Sequence, residues 1–180
     1  MKLLLTYIAL AALFTSCNSN LLVAEYHDNS LTLDAKDNVY ASEKIIMGEV
    51  DDFEIKARIK FLKSYRDDNT KWAGFFIKTD NSQGLHREDS GYLCYIRSNG
   101  EIGIHSSPPP DYEIILKKNI KLNTKRYTNI KIVSKDAGIQ FFVNNKKILE
   151  TSYLLKTGNY IAANVGGCAA QFDLKSIKHK

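Results

Sequence analysis

Apolar and charged residues alternate without exception in the stretch FEIKARIKF, from Phe53 to Phe61. Successive side chains of a β-strand point to opposite faces, so this pattern predicts a strand with one face on a core and one face in water. The same period of two recurs from residue 31 to the end of the chain. We therefore expect the protein to be built from strands of this kind.

Short polar turns separate the alternating runs. Ser98-Asn99-Gly100 lies between two such runs, and Asn-Gly in this position is a strong signal for a β-hairpin. Lys135–Gly138 and Asn144-Asn145 predict two further turns, and Gly166-Gly167 predicts a break between strands. Because residues 31–180 contain no long amphipathic helical pattern, the sequence predicts an all-β fold, a two-sheet antiparallel jelly-roll sandwich in a single domain.

The first residues have the organisation of a signal peptide. Lys2 precedes an apolar run that is too short to span a bilayer core of ~30 Å, and the run ends in Phe14-Thr15-Ser16-Cys17. This ending resembles the lipobox of bacterial lipoproteins, with Phe14 in the place usually taken by leucine, and it implies lipid attachment to Cys17. The alternative is an ordinary secretory signal followed by an incidental cysteine.

The expected domain boundaries follow from this organisation. Residues 1–16 are the signal peptide, residues 17–30 a lipid-anchored tether and residues 31–180 the β-sandwich domain, which is long enough for one real core. A lipid on Cys17 predicts a bacterial cell-envelope protein held at a membrane, and Asn18 after the cysteine favours the outer membrane. The net charge of +5 is mild and spread along the chain, so nucleic acid is not an expected partner.

Two cysteines remain within the predicted domain. Cys94 and Cys168 both fall on the apolar phase of their strands, where a free thiol behaves as a small buried hydrophobic group. Export to an oxidising compartment would also permit a disulfide between them. Both alternatives stay open at this stage.

Short motifs follow one another along the chain in a recognisable order. They are Asp52-Phe53-Glu54, Ala73–Lys78, Gly91–Arg97, Gly103-Ile104, Gly138–Asn144, Gly158–Tyr160 and Phe172-Asp173. Their order and spacing resemble the concanavalin A-like lectin/glucanase superfamily of jelly rolls, nearest to its laminin-G-like and keto-disaccharide-hydrolase-like modules. The resemblance covers residues 31 to 178, and it implies two stacked, curved sheets more firmly than any activity.

The resemblance also suggests where catalysis would lie. Retaining glucanases of this superfamily carry a Glu-x-Asp-x-(x)-Glu strand motif, whose glutamates act as nucleophile and general acid at a separation of about 5 Å. Glu49, Asp51 and Glu54 are the corresponding candidates, although Asp52 stands where the motif has an apolar residue. Glu54 shares a face with Glu49 only if a bulge intervenes. A glycoside hydrolase using Glu49 and Glu54 is therefore the first alternative function.

Members of the superfamily often contain structural calcium, and the resemblance implies such a site here. Calcium prefers carboxylate and carbonyl oxygens, which makes Asp51 and Asp173 the candidate ligands. No other cofactor is expected, because the sequence has neither a glycine-rich phosphate loop nor a histidine pair at metal-ligand spacing.

Carbohydrate binding is the function that the residue pattern favours most. Strand phase predicts that one polar face gathers Arg58, Lys78, Tyr95, Arg97, His105 and Gln140, with Trp72 at its rim. Aromatic rings cover apolar sugar faces, and planar polar side chains bond sugar hydroxyls. We therefore predict a lipid-anchored, extracytoplasmic carbohydrate-binding module that recognises a glycan or glycoconjugate on its concave sheet. A protein-binding or structural envelope lipoprotein is the second alternative.

Overall fold

The computed structural model describes residues 30–36, 40–47, 52–65, 71–79, 91–107, 114–152, 158 and 160–179, which form twelve β-strands and no helix. The strands are β1 (Ser30–Asp34), β2 (Tyr40–Met47), β3 (Phe53–Ser64), β4 (Trp72–Thr79), β5 (Gly91–Arg97), β6 (Glu101–Ser107), β7 (Ile114–Asn119), β8 (Thr128–Lys135), β9 (Gly138–Val143), β10 (Lys146–Thr151), β11 (Tyr160–Gly166) and β12 (Cys168–His179). Within these ranges no helix is long and apolar enough to cross a membrane.

The strands form two sheets of six. Sheet A has the order β1-β12-β3-β8-β9-β10, and sheet B has the order β2-β11-β4-β5-β6-β7. Every neighbouring pair in both sheets is antiparallel. The predicted all-β architecture of two antiparallel sheets is therefore confirmed.

The core lies between the two sheets, on the inner face of each. On β3 the odd-numbered residues Phe53, Ile55, Ala57 and Ile59 are at most 2% exposed, as the alternation predicts. Phe75 of sheet B meets Phe172 of sheet A edge to face, with ring centroids 5.6 Å apart. Burial of one such Phe or Ile side chain contributes roughly 1.5–3 kcal/mol, so this two-sided core is the main stabilising element of the fold.

The predicted turns are present, and their backbone angles explain them. Asp136 and Ala137 have φ values of 50° and 56°, and Asn144 and Asn145 have φ values of 48° and 67°. Two consecutive residues with positive φ match the right-handed twist of the strands that a tight hairpin joins. Asparagine tolerates this conformation well, so Asn144-Asn145 predicted its turn without a glycine.

Both cysteines of the domain are free thiols. Cys94 on β5 and Cys168 on β12 are buried and belong to the inter-sheet core. Burial raises the pKa of Cys168 to about 12 and also raises the pKa of Cys94 strongly. The buried, apolar position predicted for both residues is confirmed. Of the two alternatives, free thiols and a disulfide, the structure has free thiols.

The N-terminal predictions fall outside the described residues. The signal peptide, Cys17 and all but the last residue of the tether precede Ser30, where β1 begins. The boundary between tether and domain is otherwise untested, and the lipid anchor remains a prediction from sequence.

Candidate functional site

The structure distributes the seven predicted ligand-binding residues over both sheets. Arg58 on β3 and Gln140 on β9 belong to sheet A. The other five, Trp72, Lys78, Tyr95, Arg97 and His105, belong to strands of sheet B. The expectation that all seven share one polar face is wrong, because alternation predicts which side of a strand faces outward but not which sheet receives the strand.

The two residues in sheet A are engaged with neighbours on its outer face. The Arg58 guanidinium donates from Nε (2.8 Å) and Nη2 to Oδ2 of Asp173, which lies directly across on β12. The amide nitrogen of Gln140 donates to Oε1 of Glu150 at 2.7 Å. Neither residue therefore contributes to a site on sheet B.

The catalytic candidates receive no support from the described residues. Glu54 is buried on the outer phase of β3, in sheet A, and pairs with Lys56 at 2.9 Å. Glu49 and Asp51 lie outside the described residues. The proposed Glu49–Glu54 pair thus remains an untested prediction.

The calcium candidate Asp173 instead contacts two cationic side chains. Oδ2 accepts hydrogen bonds from Arg58, and Oδ1 pairs with Lys175 at 2.8 Å. Burial acts to raise the pKa of Asp173, but the hydrogen bonds and charges of Lys175 and Arg58 outweigh burial and hold the pKa below its ordinary value. A metal ion would have to displace both partners. In the part of the chain that the structure describes, no three His, Cys, Asp or Glu residues group to hold a metal.

The outer face of sheet B carries a compact set of aromatic and polar residues. We call it the outer-face site and define it as Trp72, Tyr95, Arg97, Glu101 and Asn164. Trp72 of β4 pairs with Arg97 of β5, and Gly74 of β4 lies between Tyr95 of β5 and Asn164 of β11 in one lateral row. The pairing of four neighbouring strands therefore brings together residues from positions 72 to 164.

Glu101 contacts both Tyr95 and Arg97. Its Oε1 accepts a hydrogen bond of 3.0 Å from the Tyr95 hydroxyl. The same oxygen forms an ion pair with Nη1 of Arg97, at 3.1 Å. The guanidinium carbon of Arg97 lies 5.3 Å from the centroid of the Tyr95 ring, within cation–π range. Burial first, and then the bond to Glu101, raises the pKa of Tyr95 to about 12. The phenol is therefore protonated and fixed in direction at neutral pH.

Two glycines leave room for the aromatic side chains. A Cβ at Gly103 would overlap the end of the Tyr95 ring, which shows that this ring lies across Gly103 on β6. A Cβ at Gly166 would overlap the indole of Trp72 in the same way. Each ring therefore covers a glycine of the neighbouring strand.

Trp72 packs against an apolar cluster and remains partly exposed. It is half-buried at the start of β4 and packs against Phe76, Leu93 and Tyr95, which form a second apolar cluster separate from the inter-sheet core. Phe76, Leu93 and Tyr95 are at most 9% exposed, although they face away from sheet A. The outer face of sheet B is therefore apolar at its centre and polar around Arg97 and Glu101.

Unpaired polar atoms concentrate at the same place. Among the described residues, three buried side-chain atoms have no hydrogen-bonding partner: Nε of Arg97 and both polar atoms of the Asn164 amide. Asn164 is fully buried, and it lies on the outer phase of β11 between the core residues Ala163 and Val165. Leaving such a group unsatisfied costs about 1–3 kcal/mol, so its retention needs an explanation other than stability.

Lys78 and His105 lie on the same sheet but outside the outer-face site. Lys78 has a φ of 51° at a register shift between β4 and β11, and it is 7% exposed. This bulge interrupts the alternation from which its outward direction was predicted. His105 is half-buried and pairs with Leu93, one lateral row beyond Tyr95.

Glu101 and Asn164 were missed by the sequence analysis. Asn164 carries a weak signal, since it is the only polar side chain in the apolar run Ile161–Val165. Glu101 follows the Asn99-Gly100 turn, a position that is polar in most hairpins. Neither signal indicates a site until strand pairing shows that both residues lie near Tyr95 and Arg97.

Comparisons with known proteins identify the fold. No family model matches the sequence, and no curated protein matches it. The chain is similar in structure to the potassium-bound carbohydrate recognition domain of Emp46p, with a TM-score of 0.60, 9% identity, and coverage of 84% of this chain and 88% of that one. It is also similar to the carbohydrate-binding module CBM66 from Bacillus subtilis, with a TM-score of 0.57, 10% identity, and coverage of 82% and 81%.

An enzyme is among the similar structures as well. Alginate lyase A1-II′, a member of polysaccharide lyase family 7, matches with a TM-score of 0.54, 14% identity, and coverage of 84% of this chain and 79% of that one. At these identities the similarity establishes the fold alone. The chain therefore has the concanavalin A-like jelly-roll fold that its sequence motifs resemble.

Proposed function

We propose that the protein binds a glycan on the outer face of sheet B, at the outer-face site. The observation that carries this proposal is the concentration of unpaired polar atoms there, on Arg97 and Asn164. An amide and a guanidinium supply the donors and the acceptor that sugar hydroxyls require. Trp72, which is half-buried, supplies an adjacent ring surface for the apolar side of a sugar. The Tyr95 ring is only 4% exposed and instead supports the Arg97 guanidinium.

The fixed geometry of the site supports binding further. Glu101 holds both the Tyr95 phenol and the Arg97 guanidinium through one oxygen atom. A site whose side chains are held in place before binding loses less conformational entropy when the ligand arrives. The names of two similar structures, a carbohydrate recognition domain and a carbohydrate-binding module, agree with this class of ligand.

The proposal includes a location in the bacterial cell envelope. The apolar run that ends at Cys17 supports export and lipid attachment, and a lipid would hold the module at a membrane surface. Labelling of producing cells with a palmitate analogue tests this part. The wild-type chain should carry the label and sediment with membranes, whereas Cys17→Ser should do neither. Equal labelling of the two chains would refute lipidation at Cys17.

A glycan-array screen tests the binding function. The chain with Cys17→Ser should give a saturable signal on a defined group of glycans, measured in calcium and again in a chelator. Arg97→Ala should lower that signal about ten-fold or more, since a lost hydrogen bond to a charged group costs roughly 1.5–3 kcal/mol. Arg126→Ala, which changes an exposed arginine between β7 and β8, is the matched control and should retain the signal.

The array also distinguishes the alternatives. Silence from correctly folded protein would contradict glycan binding and favour the protein-binding or structural interpretation. Loss of the signal in the chelator would support a role for calcium, and an unchanged signal would argue against one.

A further inference from the structure

The outer face of sheet A, opposite the outer-face site, contains a groove with a volume of about 430 Å³. It lies across β12, β3 and β8, and we call it the basic groove. The side chains that give it its character are Lys56, Arg58, Asn129, Lys131, Asn145 and Lys175. These are four cationic groups and two amides, and among the described residues no carboxylate lines the groove. Its volume falls within the range of pockets that hold small ligands.

The positive charge of the groove is only partly balanced. Lys56 pairs with Glu54 at 2.9 Å, and Arg58 and Lys175 share the single carboxylate of Asp173. None of the ion pairs formed among the described residues includes Lys131. Four cationic groups therefore face two carboxylates, and both carboxylates are already engaged by the groove's own cations.

The strand register adds a second observation. Lys56 of β3 lies directly across from Lys131 of β8 in the antiparallel ladder. Like charges in directly opposed positions destabilise a sheet, and an anion placed between the two ammonium groups would remove that repulsion. Glu54 compensates Lys56 and the Phe142 ring contacts Lys131, and an anion between the two lysines would add a further favourable interaction.

Aromatic rings hold the cations in place. Nζ of Lys131 lies 3.8 Å from the centroid of the Phe142 ring, and the guanidinium carbon of Arg58 lies 4.8 Å from the centroid of Tyr127. Cation–π contacts of this kind restrict long, flexible side chains. The groove is therefore preorganised, unlike a set of freely moving surface lysines.

We propose that the basic groove is a second binding site, for an anionic sugar unit of an acidic polysaccharide. The carboxylate or sulfate group lies between Lys56 and Lys131, and the sugar hydroxyls bond the amides of Asn129 and Asn145. This site is separate from the outer-face site and does not depend on its proposed function.

A flat anionic membrane fits this face less well. The neighbouring groove on sheet A shares Lys131 with the basic groove and is also lined by Lys135 and by three carboxylates, those of Glu54, Asp136 and Glu150. An anionic bilayer spread over the whole face would meet these carboxylates, whereas one acidic sugar unit fits within the basic groove alone. The local separation of charge therefore favours a discrete polymer segment.

Titration of the full chain with polygalacturonate and with dextran sulfate tests the proposal, using neutral dextran as the uncharged polymer. At least one acidic polymer should bind in 50 mM NaCl and bind more weakly in 500 mM NaCl, and neutral dextran should not bind. Lys131→Gln and Lys175→Gln should each weaken binding about five-fold or more. Lys135→Gln should change it less than two-fold, since Lys135 is on the same strand but outside the groove.

Three results would overturn the proposal. If neither acidic polymer binds the folded protein, the basic groove is not a site for acidic polysaccharides. If Lys135→Gln weakens polymer binding as much as Lys131→Gln and Lys175→Gln do, binding depends only on the overall charge of the protein. Stronger binding to vesicles containing 30% phosphatidylglycerol, with the same dependence on Lys131, would assign the groove to a membrane surface. A failure here concerns the acidic polymers and the Lys131 and Lys175 variants, whereas a failure at the outer-face site concerns the glycan array and Arg97→Ala, so the two failures are distinguishable.

Discussion

Asn164 on β11 lies directly across from Gly74 on β4, so the buried amide faces a position with no side chain. The neighbour of Gly74 on its other side is Tyr95, which leans over Gly103 towards Glu101. The lateral row therefore alternates a polar or aromatic side chain with a glycine. The Asn164 amide and the Tyr95 ring therefore lie on either side of Gly74, and all three residues are buried.

Asn164→Leu should stabilise the protein. The substitution replaces two unpaired buried polar atoms by an apolar group of similar size, which removes a desolvation cost of about 1–3 kcal/mol. Urea unfolding should show a free energy of unfolding about 1 kcal/mol higher than that of the wild type. Asn164→Asp, which buries a charge instead, is the control and should be strongly destabilising. A Leu variant less stable than the wild type would show that the amide is satisfied in solution.

Gly74→Ala and Gly103→Ala should differ in their effects, although both add one methyl group. A Cβ at Gly74 would overlap the carbonyl oxygen of Cys94 and lie 2.7 Å from Cα of Tyr95, so the backbone itself must move. We expect a loss of roughly 1–3 kcal/mol in the free energy of unfolding. A Cβ at Gly103 meets only the end of the Tyr95 ring, which swings aside.

Gly103→Ala should therefore cost less stability and instead break the bond between Tyr95 and Glu101. Ultraviolet titration should then show the pKa of Tyr95 falling from about 12 towards its ordinary value of 10.0. Equal destabilisation by the two alanines, with no change in this titration, would contradict the placement of the ring.

Tyr95 should give the protein an alkaline dependence of stability. The folded state raises the pKa of its phenol from 10.0 to about 12, which means that the folded protein holds this proton more tightly than the unfolded chain. The stabilisation is complete below pH 10 and is lost as the pH rises towards 12. The difference in unfolding free energy between the wild type and Tyr95→Phe should be constant up to about pH 10 and decline above it. A difference that stays flat through pH 12 would refute the shift.

The two core thiols should be protected from reagents. The chain with Cys17→Ser should react negligibly with Ellman's reagent at pH 8, because both thiols are buried and burial raises their pKa. Unfolding in guanidinium should release two reactive thiols per chain, and one in a further Cys168→Ala variant. Fewer than two thiols in the unfolded protein would indicate the disulfide that the structure does not contain.

Much of the fold was predictable from local pattern, and the exceptions have local causes. The run from Phe53 to Phe61 predicted strand β3, and the turns at Asn99-Gly100 and Asn144-Asn145 predicted two hairpins correctly. Edge strands β2 and β7 were not predicted individually, because their sequences YASEKIIM and IILKKN do not alternate between apolar and polar residues. Alternation was the main signal for a strand, and it is missing from both.

The site was less predictable because it depends on pairing between distant strands. Tyr95, Arg97 and Trp72 were identified from their chemistry, and the structure places them together. Arg58 and Gln140 have the same outward phase, yet their strands enter the other sheet. Asn164 becomes a candidate only when β11 is paired with β4, and no alternation pattern contains that information.

The most direct test of the account is calorimetric titration of the glycan that gives the strongest array signal. The wild type, Asn164→Leu and Arg126→Ala should be compared, the last as an exposed control outside both proposed sites. We predict that Asn164→Leu weakens binding about ten-fold or more while remaining folded and at least as stable as the wild type. Arg126→Ala should bind like the wild type. Unchanged affinity in Asn164→Leu would contradict a binding site on the outer face of sheet B.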